Sequence, residues 1–308
     1  IDPFQWSSIG PDGWDIRSVT VSPNYALDTT IAGGTDIEGK FAKTEDDGVT
    51  WGLVNPYGST NTVFFDGIAF SPSFQTDQTV YLAGGNSGGL LRSTDGGTTW
   101  VNKIPSLPVW DVAFSTAATV YVTTDAGIYK STDSGNSFTH LTTGGVPTLQ
   151  CVAVTVASDS TVYIGTTNSG IYKSTDSGAT WVQVNSGLPS GNVYDVVVTP
   201  DQTVFGLVNT QGIYQSKDQG VSWMRVNDEY YYSMYQGLAV SPNYAIDKTL
   251  FAAYSTHYNT WTGVSMSQDG GDNWVRIDMT GLPGTRPAAI AVSPTFSSDR
   301  TIFAGTSD

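Results

Sequence analysis

Short apolar runs of four to six residues recur along the chain, with clusters of Gly, Ser, Thr, Asn and Asp between them. One unit is especially compact. It reads Cys151–Val156 (CVAVTV), Thr161–Thr166 (TVYIGT), Gly170–Ser174 (GIYKS) and Trp181–Val184 (WVQV). Runs of this length, rich in β-branched and aromatic residues and bounded by turn residues, predict strands. The first run recurs at Ser18–Val21, Gly67–Phe70, Val112–Phe114, Val196–Val198 and Leu238–Val240. The second recurs at Thr30–Gly33, Val80–Ala83, Val120–Val122, Val204–Gly206 and Leu250–Ala252. No i, i+3, i+4 apolar pattern of any length appears. The pattern predicts an all-β chain of repeated four-stranded antiparallel units.

A polar signature separates the third and fourth strands of each unit. Ser174–Trp181 reads STDSGATW, or S-x-D-x-G-x-[ST]-W. Ser93–Trp100 and Ser216–Trp223 are full copies, and Thr44–Trp51, Ser131–Phe138 and Ser267–Trp274 each depart at one position. The six copies lie at intervals of roughly 40–50 residues, the repeat length of propeller blades. A short Asp side chain accepts N–H bonds from its own turn, and Gly permits positive φ there. Asp46, Asp95, Asp133, Asp176, Asp218 and Asp269 are therefore read as turn braces, since six near-identical catalytic turns are redundant.

The motif resembles the Asp-box, or BNR, repeat of sialidases, xyloglucan-degrading hydrolases, sortilin-type receptors and photosystem assembly factors. The resemblance covers nearly the whole chain and implies a β-propeller. A seventh unit begins at Ile290–Ser293 and Thr301–Ala304, and Gln5–Ile9 matches a fourth strand following a box. The expectation is thus a seven-bladed propeller whose closing blade is shared between the N- and C-termini. Residues 5–308 form the single propeller domain, and Ile1–Phe4 reads as a cloning remnant.

Charge and cysteine content narrow the function. The formal net charge is −15 and the 13 Lys and Arg are scattered, which argues against nucleic acid or anionic membranes as partners. No apolar run is long enough to cross a bilayer. The single cysteine, Cys151, lies in an apolar strand and reads as a buried, inert thiol. No cofactor or metal is expected. Asp28, Asp77, Asp247 and Asp299 end a longer first turn in four units and read as braces, with calcium ligation as the alternative.

Candidate ligand-binding residues come from a second repeat. An aromatic followed by a polar residue precedes the first strand at Trp14-Asp15, Phe65-Asp66, Trp110-Asp111, Tyr194-Asp195 and Tyr235-Gln236. A ring of these at the channel mouth suits a sugar, which has apolar C–H faces and many O–H donors. The alternative is that the aromatics wedge between blades and the Asp residues cap turns. Two longer loops, 228–235 and 255–262, add His257, Tyr258 and Trp261 to the same face.

Catalytic signatures are sparse. His140 and His257 pair with no Ser or Cys nucleophile. The F/Y-R-I-P motif of sialidases is absent; Arg17 sits in Asp15-Ile16-Arg17-Ser18, and only Arg17 and Arg286 approach the mouth. Xyloglucan hydrolases carry a catalytic Asp in a T-D-x-G-G segment. Thr35–Gly39 and Thr124–Gly127 resemble it, which makes Asp36 and Asp125, together with Asp111, the candidate carboxylates for glycoside hydrolysis. The reading reached is an extracellular or cell-surface propeller, bacterial and monomeric, that binds a glycan or protein partner without catalysis. A glycoside hydrolase is the alternative.

Overall fold

The structure is a computed structural model that describes residues 4–36, 39–58, 63–86, 88–105, 107–227, 233–256, 262–281 and 286–307. It is an all-β propeller of four-stranded antiparallel blades. Blade one holds β1 (Ile16–Val21), β2 (Ile31–Thr35), β3 (Phe41–Thr44) and β4 (Gly52–Val54). Blade two holds β5 (Phe65–Phe70), β6 (Val80–Gly84), β7 (Gly89–Ser93) and β8 (Val101–Ile104). Blade three holds β9 (Val109–Phe114), β10 (Val120–Thr124), β11 (Gly127–Ser131) and β12 (Thr139–His140). Blade four holds β13 (Cys151–Val156), β14 (Val162–Thr166), β15 (Ile171–Ser174) and β16 (Val182–Gln183). Blade five holds β17 (Val193–Val198), β18 (Val204–Val208), β19 (Gly212–Ser216) and β20 (Met224–Arg225). Blade six holds β21 (Ser233–Val240), β22 (Leu250–Thr256), β23 (Gly263–Ser267) and β24 (Val275–Arg276).

The blade count corrects the sequence expectation of seven. Among the described residues six four-stranded blades form, and β25 (Arg286–Val292) pairs only with β26 (Ile302–Ser307) in a two-stranded sheet. This hairpin packs against β21 and β22 on one side and β1 on the other. Gln5–Ile9, expected to join a shared closing blade, forms no strand. It lies instead against blade six and the first box. The Trp6 indole donates to the Asp278 carbonyl (2.9 Å), the Trp51 indole donates to the Ile9 carbonyl (2.6 Å), and Phe4 meets Phe251 edge-on at 6.0 Å. The physical reason is spacing. Ladder partners lie about 4.8 Å apart, whereas a cavity of about 1100 Å³ separates this segment from β26.

The second strands of blades one to five are fully buried. In β2, β6, β10, β14 and β18 every residue is buried. Such strands read as continuous apolar runs rather than alternating ones, because both faces are covered by neighbouring blades.

The turn after the first strand is tighter than the sequence suggests. In four units it contains one helical turn: α1 (Tyr25–Asp28), α2 (Phe74–Asp77), α3 (Tyr244–Asp247) and α4 (Phe296–Asp299). Its last Asp accepts from a serine hydroxyl and a backbone N–H. Ser22 Oγ donates to Asp28 at 2.6 Å, and the Thr30 N–H donates at 3.0 Å. Asp77, Asp247 and Asp299 repeat the pattern with Ser71, Ser241 and Ser293. Their oxygens are engaged by the turn itself.

The boxes form a repeated network. In the fourth, Ser174 Oγ donates to Asp176 Oδ1 (2.9 Å), and the Gly178 N–H donates to Ser174 Oγ (2.8 Å). The Thr180 N–H and hydroxyl donate to the two Asp176 oxygens at 2.8 and 2.6 Å. Asp46, Asp95, Asp133, Asp218 and Asp269 receive the corresponding bonds. Each turn also carries two successive left-handed residues, as at Ser134 (φ 58°) and Gly135 (φ 78°). The second must be Gly for another reason: a Cβ on Gly135 would overlap the Tyr81 hydroxyl of the preceding blade. Gly135→Ala is therefore expected to destabilise the fold by about 1 kcal/mol or more in urea titration. Asp176→Ala, which leaves the Thr180 donors without their acceptor, is expected to lower the melting temperature. An unchanged urea midpoint for Gly135→Ala would contradict this packing.

Candidate functional site

The boxes and one-turn helices occupy one face of the ring. The opposite face holds the loops that enter each first strand, and it surrounds the mouth of the central channel. At this end every inner strand carries a β-bulge. The register slips at Arg17, Asp66, Trp110, Val152, Tyr194, Gln236 and Ala288. Bulges re-aim side chains, and they are common beside functional sites.

The bulges correct the expected ring of equivalent aromatic-Asp pairs. Trp110 and Tyr194 occupy the bulge itself, with Asp111 and Asp195 one residue on. In blade two the bulge falls on Asp66, so its carboxylate takes the place of an aromatic. Trp14 and Asp15 precede β1 altogether. Aromatic-Asp dipeptides that look alike in sequence therefore sit in three different registers.

Asp111 and Asp195 clamp neighbouring blades together. Asp111 Oδ2 accepts from the Val154 N–H of β13 (2.9 Å), and Oδ1 accepts from its own neighbour Val112 (2.7 Å). Asp195 Oδ2 accepts from the Leu238 N–H of β21 (2.7 Å). Ser18, in the same register of blade one, donates to the Phe65 carbonyl (2.8 Å). Small residues make room for these clamps: a Cβ on Gly67 would approach Asp111 Oδ1 to 3.2 Å. Burial pushes the Asp111 carboxyl up to about 7, with Asp195 adding repulsion against the pull of the Val154 N–H. Burial likewise raises Asp195 to about 6.

A contiguous strip of polar and aromatic side chains crosses blades one to three. Arg17 Nε donates to Asp66 Oδ1 (2.5 Å) and its Nη1 to Asp36 Oδ1 (3.0 Å). Burial lifts Asp66 to about 6 despite that guanidinium. Its second oxygen is buried and accepts no hydrogen bond. The Arg17 guanidinium lies 4.1 Å over the Phe64 ring, and Phe64 stands 6.4 Å from Trp110. The Trp110 indole donates to Asp125 Oδ1 (2.8 Å), which also accepts from Gln150 Nε2 (2.7 Å). At the other end the Lys40 ammonium sits 3.9 Å over the Trp14 ring. Asp36 and Asp125 thus stand on this face, each held by its neighbours. Tyr194 lies farther round the mouth, 38% exposed, with Asn192 donating to its hydroxyl (3.2 Å).

Sequence reasoning missed Phe64, Lys40 and Gln150. Phe64-Phe65 is a doubled aromatic, and the bulge decides which of the two faces the mouth. The side chain of Tyr235, the whole of His257, Tyr258 and Trp261, and the 228–232 loop lie outside the described residues. His140 lies in β12, stacked on Tyr129 at 4.5 Å, with Nε2 bonded to the Ala126 carbonyl. Cys151 is buried, and burial pushes its thiol up to about 12. Among the described residues no three His, Cys, Asp or Glu gather to hold a metal ion.

The two carboxylate sets predict an acid-side stability maximum. Asp66, Asp111 and Asp195 have raised folded pKa values, so between about pH 4 and 7 the folded state binds more protons than the unfolded chain. Stability from these groups falls as pH rises through that window. Box residues Asp95, Asp133, Asp176 and Asp218 are held down to about 2, chiefly by hydroxyl and N–H donors in their own turns. Their contribution is lost as pH falls from about 4 to 2. Thermal melts are expected to peak near about pH 4–5, and Asp111→Asn to flatten the decline above it. A melting temperature that climbs steadily from about pH 5 to 8 would contradict the assignment.

No protein-family model matches the chain. Over 164 residues, 51% of this chain, it is 30% identical to a xyloglucanase of Hypocrea jecorina (strain QM6a). That match takes in 19% of the enzyme, so the chain spans about a fifth of the length of the curated relative it matches. Among solved structures it is similar to YCF48 bound to D1 peptide, with a TM-score of 0.69 and 17% identity over 96% of this chain and 91% of the other. It is also similar to the GH74 xyloglucanase from Xanthomonas campestris, with a TM-score of 0.73 and 18% identity over 99% of this chain and 52% of the enzyme. The extracellular domain of BT4673 from B. thetaiotaomicron gives a TM-score of 0.73 at 15% identity, over 99% of this chain and 39% of the other. At such identities the likeness is one of fold: the chain is a β-propeller.

Proposed function

We propose that this propeller binds a glycan at its channel mouth, across blades one to three, at an extracellular or cell-surface location. One observation carries the reading: Trp14, Phe64 and Trp110 form a strip with Asp36, Arg17, Asp125 and Gln150 interleaved. Aromatic faces cover the C–H surfaces of a sugar ring, while carboxylate, amide and guanidinium groups meet its hydroxyls. The groups are already braced against one another, so little side-chain entropy is lost on binding. Similarity to a xyloglucanase over half the chain favours a β-linked glucan as the first ligand class to test. The six box Asp residues act as turn braces in this reading, in the manner of Asp-box repeats.

A second reading is glycoside hydrolysis by Asp36 and Asp125. It is favoured by their placement on the mouth face, in the T-D segments that resemble the hydrolase motif. Both carboxylates accept hydrogen bonds from neighbouring donors, which suits orientation in a binding site. The experiment is a glycan-array screen, followed by calorimetry and product analysis on each hit. Trp110→Ala is expected to weaken binding by about 1 kcal/mol or more, the loss of an aromatic anchor. Asp125→Asn is expected to weaken it modestly, with no product formed by either protein. Unchanged affinity in Trp110→Ala would remove the proposed site. Turnover by the parent protein that Asp125→Asn abolishes at unchanged affinity would establish the hydrolase instead.

A further inference from the structure

Packing between blades follows one rule. The first apolar residue of each third strand enters the core of the next blade. Phe41, Leu90, Ile128, Ile171, Ile213 and Val264 hold these positions, all completely buried. Phe41 packs with Phe65 and Leu82, Ile128 with Cys151 and Ile164, and Ile171 with Val193 and Val204. Among the described residues, the core between the β25–β26 hairpin and blade one has no such residue. It is built on Tyr25, Ile31 and Phe303. The cavity of about 1100 Å³ lies beside it, lined by Trp6, Ile9, Ile31, Gly33, Trp51 and Phe303 among others.

The cavity has the walls of a strand site. On one side is β26, whose outer edge pairs with no described strand. On the other is the segment 5–9, placed like the end of a box and its fourth strand. The Trp51 indole donates to the Ile9 carbonyl (2.6 Å) as the Trp223 indole donates to the Val184 carbonyl (2.7 Å). A Cβ on Gly281 would strike the Trp6 carbonyl (2.6 Å), and one on Gly187 would strike that of the box residue Trp223. Between a second and a fourth strand, two spacings of about 4.8 Å leave room for one strand.

We propose that this slot binds one extended peptide strand with the pattern glycine, aliphatic, aromatic, basic, serine, by addition to the β26 edge. Backbone pairing supplies affinity and side-chain pockets supply specificity, as in other strand additions. The register follows from the repeat. Thr301–Thr306 (TIFAGT) matches Thr161–Thr166 (TVYIGT), and β14 pairs with β15 through Val162–Ser174, Tyr163–Lys173, Ile164–Tyr172 and Gly165–Ile171. The incoming aliphatic residue therefore faces Gly305 and seats on Gly33. The same seat is filled in blade five, where a Cβ on Gly206, the glycine equivalent to Gly33, would lie 3.0 Å from Ile171 Cδ1. The basic residue is matched by charge. Lys130 and Lys173 donate to the box carbonyls of Ser177 and Gln219 in the next blade. The corresponding box here holds Glu45, Asp46 and Asp47, with Lys43 paired to Glu45, and Asp12, Asp299 and Arg300 line the cavity, which leaves acidic groups in excess.

The test adds a synthetic peptide of sequence Gly170–Gly178 (GIYKSTDSG) to the intact 308-residue protein. Calorimetry is expected to give one site per chain, and the melting temperature to rise with peptide concentration. The Ile171→Asp peptide is expected to bind about tenfold more weakly or worse. A second arm reads the register. With oxidised glutathione as the two-electron oxidant, Ala304→Cys protein is expected to form a disulfide with the Tyr172→Cys peptide and not with the Lys173→Cys peptide, whose thiol points to the other face. The native Cys151 is buried and does not compete. Absence of binding at millimolar peptide, equal binding of the Ile171→Asp peptide, or equal crosslinking at both positions would overturn the proposal.

Discussion

The ring rests on one contact made at successive blade junctions. In five of the six boxes, the carbonyl of the first left-handed residue turns toward the preceding blade and accepts from it. Ser134, Ser177 and Gln219 receive the hydroxyls of Tyr81, Tyr121 and Tyr163. Gly96 and Gly270 receive Lys43 and Gln215 in the same way. The contact requires a left-handed turn, an Asp to hold that turn, and a Gly where the neighbouring ring presses in. A blade cannot satisfy its second-strand tyrosine alone. Local turn chemistry thus becomes long-range order, and the motif repeats because the junction repeats.

On the opposite face the constraint is crowding around the axis. Seven inner strands converge there, and each bulges at the same level. Asp111 reaches across to the next blade beside Gly67, where a Cβ would approach its carboxylate to 3.2 Å, and Asp195 reaches across to Leu238 in the same way. The bulged residues Arg17, Asp66 and Trp110 join the strip of aromatic and charged side chains, which the loops above complete. Rigidity at the axis and the aromatic-polar strip at the rim are therefore two outcomes of the same bulge.

The strands, the box turns and the lack of long helices are legible in the sequence because each depends on a few neighbouring residues. The one-turn helices ending at Asp28, Asp77, Asp247 and Asp299 read there as braced turns, and the Asp does brace them. The site is less legible. Trp110-Asp111 and Phe65-Asp66 look alike in sequence, yet one extra residue in the strand exchanges their roles. No local signal marks that residue, since a bulge is decided by how two strands register. Arg17 stands out as a lone basic group near the mouth, whereas its ties to Asp36 and Asp66 join residues far apart in the chain. The seventh unit misleads for a related reason. Both of its halves are recognisable, but a ladder forms only between strands that are neighbours, and β26 and the segment 5–9 are not.

Indole N–H resonances offer the most direct test of where the ligand binds. The chain has nine tryptophans, five of which close boxes: Trp51, Trp100, Trp181, Trp223 and Trp274. Trp14 and Trp110 stand at the channel mouth. Titration with the tightest-binding glycan from the array, followed by NMR on indole-labelled protein, is predicted to move the Trp14 and Trp110 signals and leave the five box signals in place. Shifts confined to the box tryptophans would contradict the account, because they would put recognition on the face that holds the ring together.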